Sequence, residues 1–244
     1  MEKDIKKHSL GKSVVLHLFP GLLIGAFYFL FAPTVETHGF PTIMALTLAG
    51  IIALIPFEFG YLLYQNRKTG EQLFGGIIRY CTKMPFWQYL IWIPTIFVAT
   101  GLIFKGLEFT TDFFKSFFNW IPENRLLDMG LNGQFSKQKL IITYVNSFLF
   151  IAILFPTVEE LYFRGYLMPR MPSKLKGWTP LIHSLLFALY HTWMPWMFLV
   201  RTVGLLPLVY IVRRKENILL AIILHCLLNS LDFIMGFMFI FDNS

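Results

Sequence analysis

The sequence predicts an all-α membrane protein, a polytopic transmembrane helical bundle of about seven spans (six to eight). Its 244 residues are 56% hydrophobic and 14% charged, whereas about a quarter of the residues of a soluble domain are charged. Several apolar runs are also long enough to cross a bilayer core of about 30 Å. Lys and Arg residues, in addition, concentrate in alternate connecting segments, which is typical of membrane proteins.

Four apolar runs predict the first four spans. Each run is nineteen residues or longer, and the only acidic or basic side chains within them are His17 and Glu58. Because Glu58 lies near the end of its run, we expect its side chain to extend towards the membrane surface. The runs cover residues 14–32, 41–64, 86–104 and 140–158.

The later part of the chain is less regular. Residues 178–194 and 196–212 form two shorter apolar runs, and Pro195 between them predicts a break, because proline cannot continue the helical hydrogen bonds. Residues 217–241 are long enough for a last span. No soluble domain, repeat or low-complexity segment is visible, so we expect one integral membrane domain over residues 1–244.

The formal net charge of +7 follows the expected topology. If the N-terminus is cytoplasmic, most Lys and Arg residues fall on the inner side, in residues 3–12, 67–83, 170–176 and 213–215, as the positive-inside rule requires. Seven spans then place the C-terminus outside. Because the charge reflects orientation, the expected partner is membrane lipid and no nucleic acid is expected to bind.

Two adjacent carboxylates stand at the edge of an apolar run. Glu159 and Glu160 are followed by Arg164, and ionisable side chains at membrane depth mark function unless they are paired. Pro156 predicts a kinked or restarted helix, in which Glu160 either forms a capping box with Thr157 or pairs with Arg164. Glu159 points about 100° away from Glu160, so its charge must be met by another helix or by water.

Two histidines lie at a comparable depth. His225 is followed one turn later by Asn229, and a rise of 1.5 Å per residue places His225 roughly 12 Å, His191 roughly 20 Å and Glu159 roughly 13 Å from the inner helix ends. A single histidine of this kind is more often a packing residue. Together, however, these groups predict a hydrolytic site in the cytoplasmic half of the bundle, where a carboxylate and an imidazole activate water and an imidazole and an amide stabilise an oxyanion.

These residues resemble the three motifs of the CPBP family, which takes in CAAX prenyl endopeptidases and bacteriocin-processing or immunity proteins and is also called Abi. The motifs follow one another on successive apolar helices, so residues 140–241 are expected to contain the catalytic core. They are Glu159-Glu160-x-x-x-Arg164, Phe187-x-x-x-His191 and His225-x-x-x-Asn229.

The resemblance implies a glutamate-dependent intramembrane endopeptidase that hydrolyses a peptide bond in a membrane-associated, prenylated or otherwise hydrophobic peptide. By matching position, Glu159 would be the general base, with His191 as its partner on the water. His225 and Asn229 would form the oxyanion hole. The supporting residues would be Glu160, Arg164 and Phe187. The site would open to the cytoplasmic side, and the short chain suggests a bacterial plasma membrane.

A metal is left open by the sequence. Glu159, His191 and His225 are ligands of the kind that a catalytic zinc takes, with a fourth position for water. The resemblance to CAAX-processing relatives favours a metal-free site, so we expect no required cofactor and keep zinc as the alternative.

Two other functions also fit the pattern. One is a non-catalytic immunity or scaffold protein of the same family, and the other is a proton-coupled transporter, although the internal repeats of many transporters are missing. Outside the motifs, Asp232 is expected to hold Asn229 or to line the cavity, and Arg201 is a candidate partner for Asp232.

Overall fold

The computed structural model describes residues 5–242 and confirms the all-α fold. Helices make up 79% of the structure, and no strand occurs within the described residues. In chain order the helices are α1 (Leu10–Thr37), α2 (Ile43–Thr69), α3 (Phe86–Gly106), α4 (Glu108–Lys115), α5 (Lys137–Arg170), α6 (Thr179–Tyr190), α7 (Pro195–Gly204), α8 (Leu206–Lys215) and α9 (Ile218–Asp242).

Five of these helices, α1, α2, α3, α5 and α9, are long and apolar enough to cross a membrane. Helices α7 and α8 meet the same criteria only as one broken span, bent by 48°. The chain is therefore an integral membrane protein, and its described residues contain five or six candidate spans, which meets the expected six to eight only at six. The difference arises at residues 178–194, because α6 has twelve residues and is only about 18 Å long.

Helix α5 lies at the centre of the bundle, where its last third is buried on all sides and contacts α1, α2, α6 and α9. Aromatic rings fill the space between α5 and α6. The ring of Phe163 lies edge-on to those of Phe187 and Tyr190, with centroids 4.9 Å apart in both pairs, an arrangement that adds to the energy of burial. These contacts fix the end of α6 and thus the position of His191, the next residue.

Helix α5 does not restart at Pro156, so the predicted capping box is wrong. The hydroxyl of Thr157 donates instead to the carbonyl of Ile153, at 2.7 Å, and the side chain of Glu160 turns into the core. The helix absorbs the missing proline hydrogen bond by winding more widely. Its π-helical segments are Phe148–Leu154 and Glu160–Leu167, and π-helical turns are frequent at functional sites.

Helix α1 approaches the end of α6 most closely at Gly21. A Cβ atom at Gly21 would lie 2.0 Å from the carbonyl oxygen of Tyr190, so the backbone would have to move. A Gly21→Ala variant is therefore expected to lose about 1–3 kcal/mol of stability through overpacking, measured by thermal unfolding in detergent.

The matched control for this substitution is Gly11→Ala in the same helix. No atom lies within 4 Å of a Cβ at Gly11, and alanine favours a helix more than glycine does. This variant should melt at the parent temperature or above it. Equal melting temperatures for the two variants would contradict the close packing of α1 against α6.

The basic segments gather at one end of the bundle, as the charge pattern predicts. The backbone N–H of His8 donates to the carbonyl of Arg170, at 2.7 Å, and the N–H of Thr82 donates to the carbonyl of Glu216, at 3.0 Å. These bonds join the N-terminal segment, the α2–α3 loop, the end of α5 and the α8–α9 loop. We call this the basic end. The connections at residues 38–42 and 116–136 form the opposite end.

The orientation of the two ends can be tested with cysteine labelling. Cys81 is exposed at the basic end, and Asn124 is exposed at the opposite end. In a Cys226→Ala background, a membrane-impermeant maleimide added to intact cells should label Asn124→Cys and should reach Cys81 only after permeabilisation, because basic loops remain cytoplasmic. Labelling in the reverse order would place the basic end outside.

Candidate active site

The two adjacent glutamates of α5 face different surroundings. Glu159 lines a cavity inside the bundle, whereas Glu160 and Arg164 are completely buried. Nη1 of Arg164 lies 3.1 Å from Oε1 of Glu160, so the predicted i,i+4 ion pair is present. The guanidinium also stacks on the ring of Phe187, 3.8 Å from its centre, and this contact holds it against Glu160.

The ring of His225 lies between the two glutamates. Its Nδ1 is 2.8 Å from Oε1 of Glu160, a hydrogen bond that the ionised carboxylate accepts. Its Nε2 faces Glu159, at 3.8 Å from Oε2, which is too long for a hydrogen bond but close enough for electrostatic attraction. Another helix therefore meets the charge of Glu159, one of the two predicted possibilities. Glu160, fixed by Arg164, orients the ring.

The protonation of His191 is set by the backbone. Helix α6 ends at Tyr190, and Nδ1 of His191 lies 2.9 Å from the carbonyl oxygen of Phe187. A carbonyl can only accept, so Nδ1 carries the proton and, in the neutral ring, Nε2 is left as an acceptor. The ring of Phe187 lies edge-on to both His191 and His225, with centroids 4.9 and 6.0 Å away, and so spaces the two imidazoles.

The side chain of Asn229 is held in place by the backbone of α5. Its Nδ2 donates one hydrogen to the carbonyl of Ile151, at 3.0 Å. The side-chain amide has two N–H groups, so the second N–H is free to bind a ligand. His225 and Asn229 lie one turn apart on α9 and both line the cavity that Glu159 reaches.

Glu159, His191, His225 and Asn229 all line this one cavity, which has a volume of about 550 Å³. Its other walls are mainly apolar side chains of α2, α3, α5 and α7. The volume and the few convergent polar groups are typical of a small-molecule or peptide site. The sequence had predicted that these four residues meet, and the structure brings them together.

The cavity extends away from the basic end. Its far wall includes Ile43 at the start of α2, Phe104 near the end of α3 and Met129 in the opposite connection. The N-terminal segment lies at the basic end. The cavity therefore extends away from the end of the bundle that holds the N-terminal segment, and the cysteine-labelling experiment assigns the two ends to the two sides of the membrane.

Sequence analysis missed a third buried carboxylate. Glu58 does not reach the membrane surface; it is completely buried, and its Oε1 accepts a hydrogen bond of 2.7 Å from the hydroxyl of Tyr190. Tyr190 precedes His191 in the sequence, so this bond ties Glu58 to the end of α6 that carries the site histidine. The sequence does contain a signal for the burial of Glu58. Gln65, the next polar side chain large enough to reach water, is about 10 Å further along the helix, so Glu58 lies deep in the bundle.

Arg201 and Asp232 both line the cavity, but the predicted pair is absent. No ion pair of Arg201 is present within the described part of the chain. The guanidinium makes two long contacts to Met194 instead, 3.4 Å from its carbonyl oxygen and 3.7 Å from its sulfur. Asp232 is exposed, and Ile151 rather than Asp232 holds Asn229.

The fit of a metal can be judged from the donor set. Among residues 5–242, no three His, Cys, Asp or Glu side chains are arranged so that they could hold a metal ion. Glu159, His191 and His225 therefore do not form such a group, although Nδ1 of each ring is bonded to an oxygen and only Nε2 is left for another ligand. We therefore derive no step through a metal.

A comparison with known families supports the resemblance noted in the sequence. Residues 141–231 match the family model of the type II CAAX prenyl endopeptidase Rce1-like proteins, and this segment contains all three motifs. No curated protein and no solved structure matches the chain significantly. The match covers less than half of the chain, and it supports the CPBP family, the family of the CAAX proteases, for the segment that carries the site.

Proposed function

We propose that this protein is an intramembrane endopeptidase that hydrolyses a peptide bond in a hydrophobic or lipidated, membrane-associated peptide. One observation carries the proposal: two acceptors, Glu159 and Nε2 of His191, line the same membrane-embedded cavity as the free N–H of Asn229. Acceptors activate water and donors stabilise an oxyanion, and hydrolysis needs both. A protein that only binds a partner does not need acceptors for water and a donor for an oxyanion in the same cavity.

In the proposed first step, a water molecule donates its hydrogens to Glu159 and to Nε2 of His191. Proton transfer to the Glu159 carboxylate accompanies attack of the water oxygen on the peptide carbonyl. His191 orients the water, since its tautomer leaves Nε2 as an acceptor. The apolar cavity walls strengthen these interactions because they keep the local dielectric low.

The developing oxyanion is proposed to lie against α9. The free N–H of Asn229 donates to it, together with Nε2 of His225 when that ring carries both protons. Glu160 accepts from Nδ1 of His225 and so holds the ring in the donating orientation. Glu159 then passes its proton to the leaving nitrogen, which completes the cleavage and returns the carboxylate to its starting form.

The proposal is tested by comparing membrane peptides from cells that produce the parent protein, Glu159→Gln or Glu108→Gln. Glu108 is an exposed glutamate outside the site and serves as the matched control. Cleavage products should be present with the parent and with Glu108→Gln, and their uncut precursors should accumulate with Glu159→Gln. Identical peptide profiles for all three proteins would favour the immunity or scaffold function instead.

Metal dependence has its own test. The residues present do not gather three ligands, so we expect full activity of the purified protein after chelation to less than one metal ion per ten chains. The measurement is elemental analysis combined with peptide cleavage in lipid vesicles. Loss of activity on chelation, restored by added zinc, would contradict the proposed metal-free mechanism.

A further inference from the structure

The strongest unexplained feature of the cavity is the guanidinium of Arg201. The other arginine of the site, Arg164, is completely buried, paired with Glu160 and stacked on an aromatic ring. Arg201 has neither a carboxylate within 4.0 Å in residues 5–242 nor a ring beneath it. An arginine has five N–H donors, and the two long contacts to Met194 leave most of them unused.

The position of Arg201 is costly unless an anion binds there. A charged arginine at membrane depth is energetically unfavourable unless it is paired, and such residues mark substrate sites when they face a cavity. Arg201 lines the same cavity as Glu159 and His191, and no ion pair joins it to Glu159. The cavity that these groups share is therefore available to a ligand of Arg201.

We propose that Arg201 binds a carboxylate of the peptide substrate, and that this group is the free C-terminal carboxylate. This inference rests on the proposed function in assuming that the ligand is a peptide. A planar guanidinium binds a carboxylate through two parallel hydrogen bonds. The cavity of about 550 Å³ has room for a short segment only, so the end of a chain fits there better than a continuing strand.

Binding of the carboxylate at Arg201 determines which peptide bond reaches the water. With the carboxylate held at Arg201 and the water held by Glu159 and His191, the distance between the two groups sets how far from the C-terminus the peptide is cut. The fragment released on cleavage carries the C-terminal carboxylate, so it should still be bound to Arg201 after the peptide bond is cut. Short hydrophobic peptides with a free C-terminus are therefore ligands in their own right.

The experiment measures binding, so that it does not depend on cleavage. The probes are the tripeptide Leu-Leu-Phe as the free acid, the same tripeptide as the C-terminal amide, and Leu-Leu-Asp amide, which carries only a side-chain carboxylate. Each is titrated into the purified protein in detergent, with thermal stabilisation as the readout. The proteins compared are the parent, Glu159→Gln, Arg201→Gln, Arg201→Lys and the exposed control Arg214→Gln.

We expect the free acid to bind the parent, Glu159→Gln and Arg214→Gln alike. Arg201→Gln should bind it roughly ten- to hundredfold more weakly, as expected for the loss of a charged hydrogen-bonded pair, and Arg201→Lys should lie in between. The amide should bind weakly to every protein. Binding of Leu-Leu-Asp amide as tight as that of the acid would contradict the choice of the C-terminal carboxylate, because a side-chain carboxylate would then serve equally well.

Two further results would overturn the inference: equal binding of acid and amide to the parent, or unchanged binding of the acid to Arg201→Gln. A failure of the proposed function gives a different result. If no peptide is cleaved but the acid still binds through Arg201, the carboxylate site stands and the protease assignment falls. If Arg201 acted only through its charge on Glu159, Arg201→Gln would lower kcat equally for acid and amide substrates and leave their KM values unchanged.

Discussion

Glu159→Gln is expected to lower kcat for peptide cleavage by roughly 10²- to 10⁴-fold, the usual contribution of a general base. Glutamine keeps the size of the side chain and its contact with the cavity but cannot take a proton from water. KM should change little, because the substitution does not alter the apolar walls that bind the peptide. The measurement is steady-state cleavage by the purified protein in lipid vesicles.

The partnership of Glu159 with His191 is tested in the same assay. Both acceptors act on one water molecule in the proposed mechanism, so the double variant Glu159→Gln/His191→Ala should be about as slow as the slower single variant. Thermal unfolding of each protein serves as the control for folding. Multiplicative losses would show that the two residues contribute independently and do not share one water molecule, and a fully active Glu159→Gln protein would remove the base from the mechanism.

The sequence predicted the site residues because a membrane restricts where polar groups can be placed. In an apolar helix, each ionisable residue needs a partner or water, so Glu159, His191 and His225 were conspicuous. The rise per residue then gave their depths, and compatible depths predicted that they meet. The i,i+4 spacing also predicted the pair of Glu160 and Arg164 correctly, because neighbouring turns of one helix face the same way.

The sequence could not reveal contacts that depend on how helices rotate against one another. The hydrogen bond between Tyr190 and Glu58 joins α6 to α2, and neither residue has a local signal that names the other. The bond between His225 and Glu160 joins α9 to α5 and arises because Glu160 turns inward instead of capping a helix. Residues 178–194 looked like a span because their composition is apolar, but the helix ends at Tyr190.

The direction of the cavity was also hidden from the sequence. The depths of the site residues place them nearer the basic end, yet the empty space lies on their other side, bounded by Phe104 and Met129. Loop residues such as Met129 carry no periodic signal that links them to a site. The position of Arg201 shows the same limit, since an arginine in an apolar run predicts a partner without saying that the partner is a ligand.

Arg164→Met is expected to reduce stability by about 3–5 kcal/mol, because it leaves the completely buried Glu160 carboxylate without its cation. Arg164→Lys keeps the charge but loses the planar stacking on Phe187, and it should be less damaging. Chemical unfolding in detergent measures all the variants.

The double variant Glu160→Gln/Arg164→Met separates stability from activity. With both charges removed, no uncompensated ion is buried, and the protein should recover most of the lost stability. It should remain poorly active, because a neutral amide oxygen accepts a weaker hydrogen bond from Nδ1 of His225 and no longer stabilises the ring when it carries both protons. The exposed pair of Lys105 and Glu108 is the control, and its removal should leave stability unchanged. If the double variant were no more stable than Arg164→Met alone, the damage would come from lost packing on Phe187 rather than from an unpaired charge.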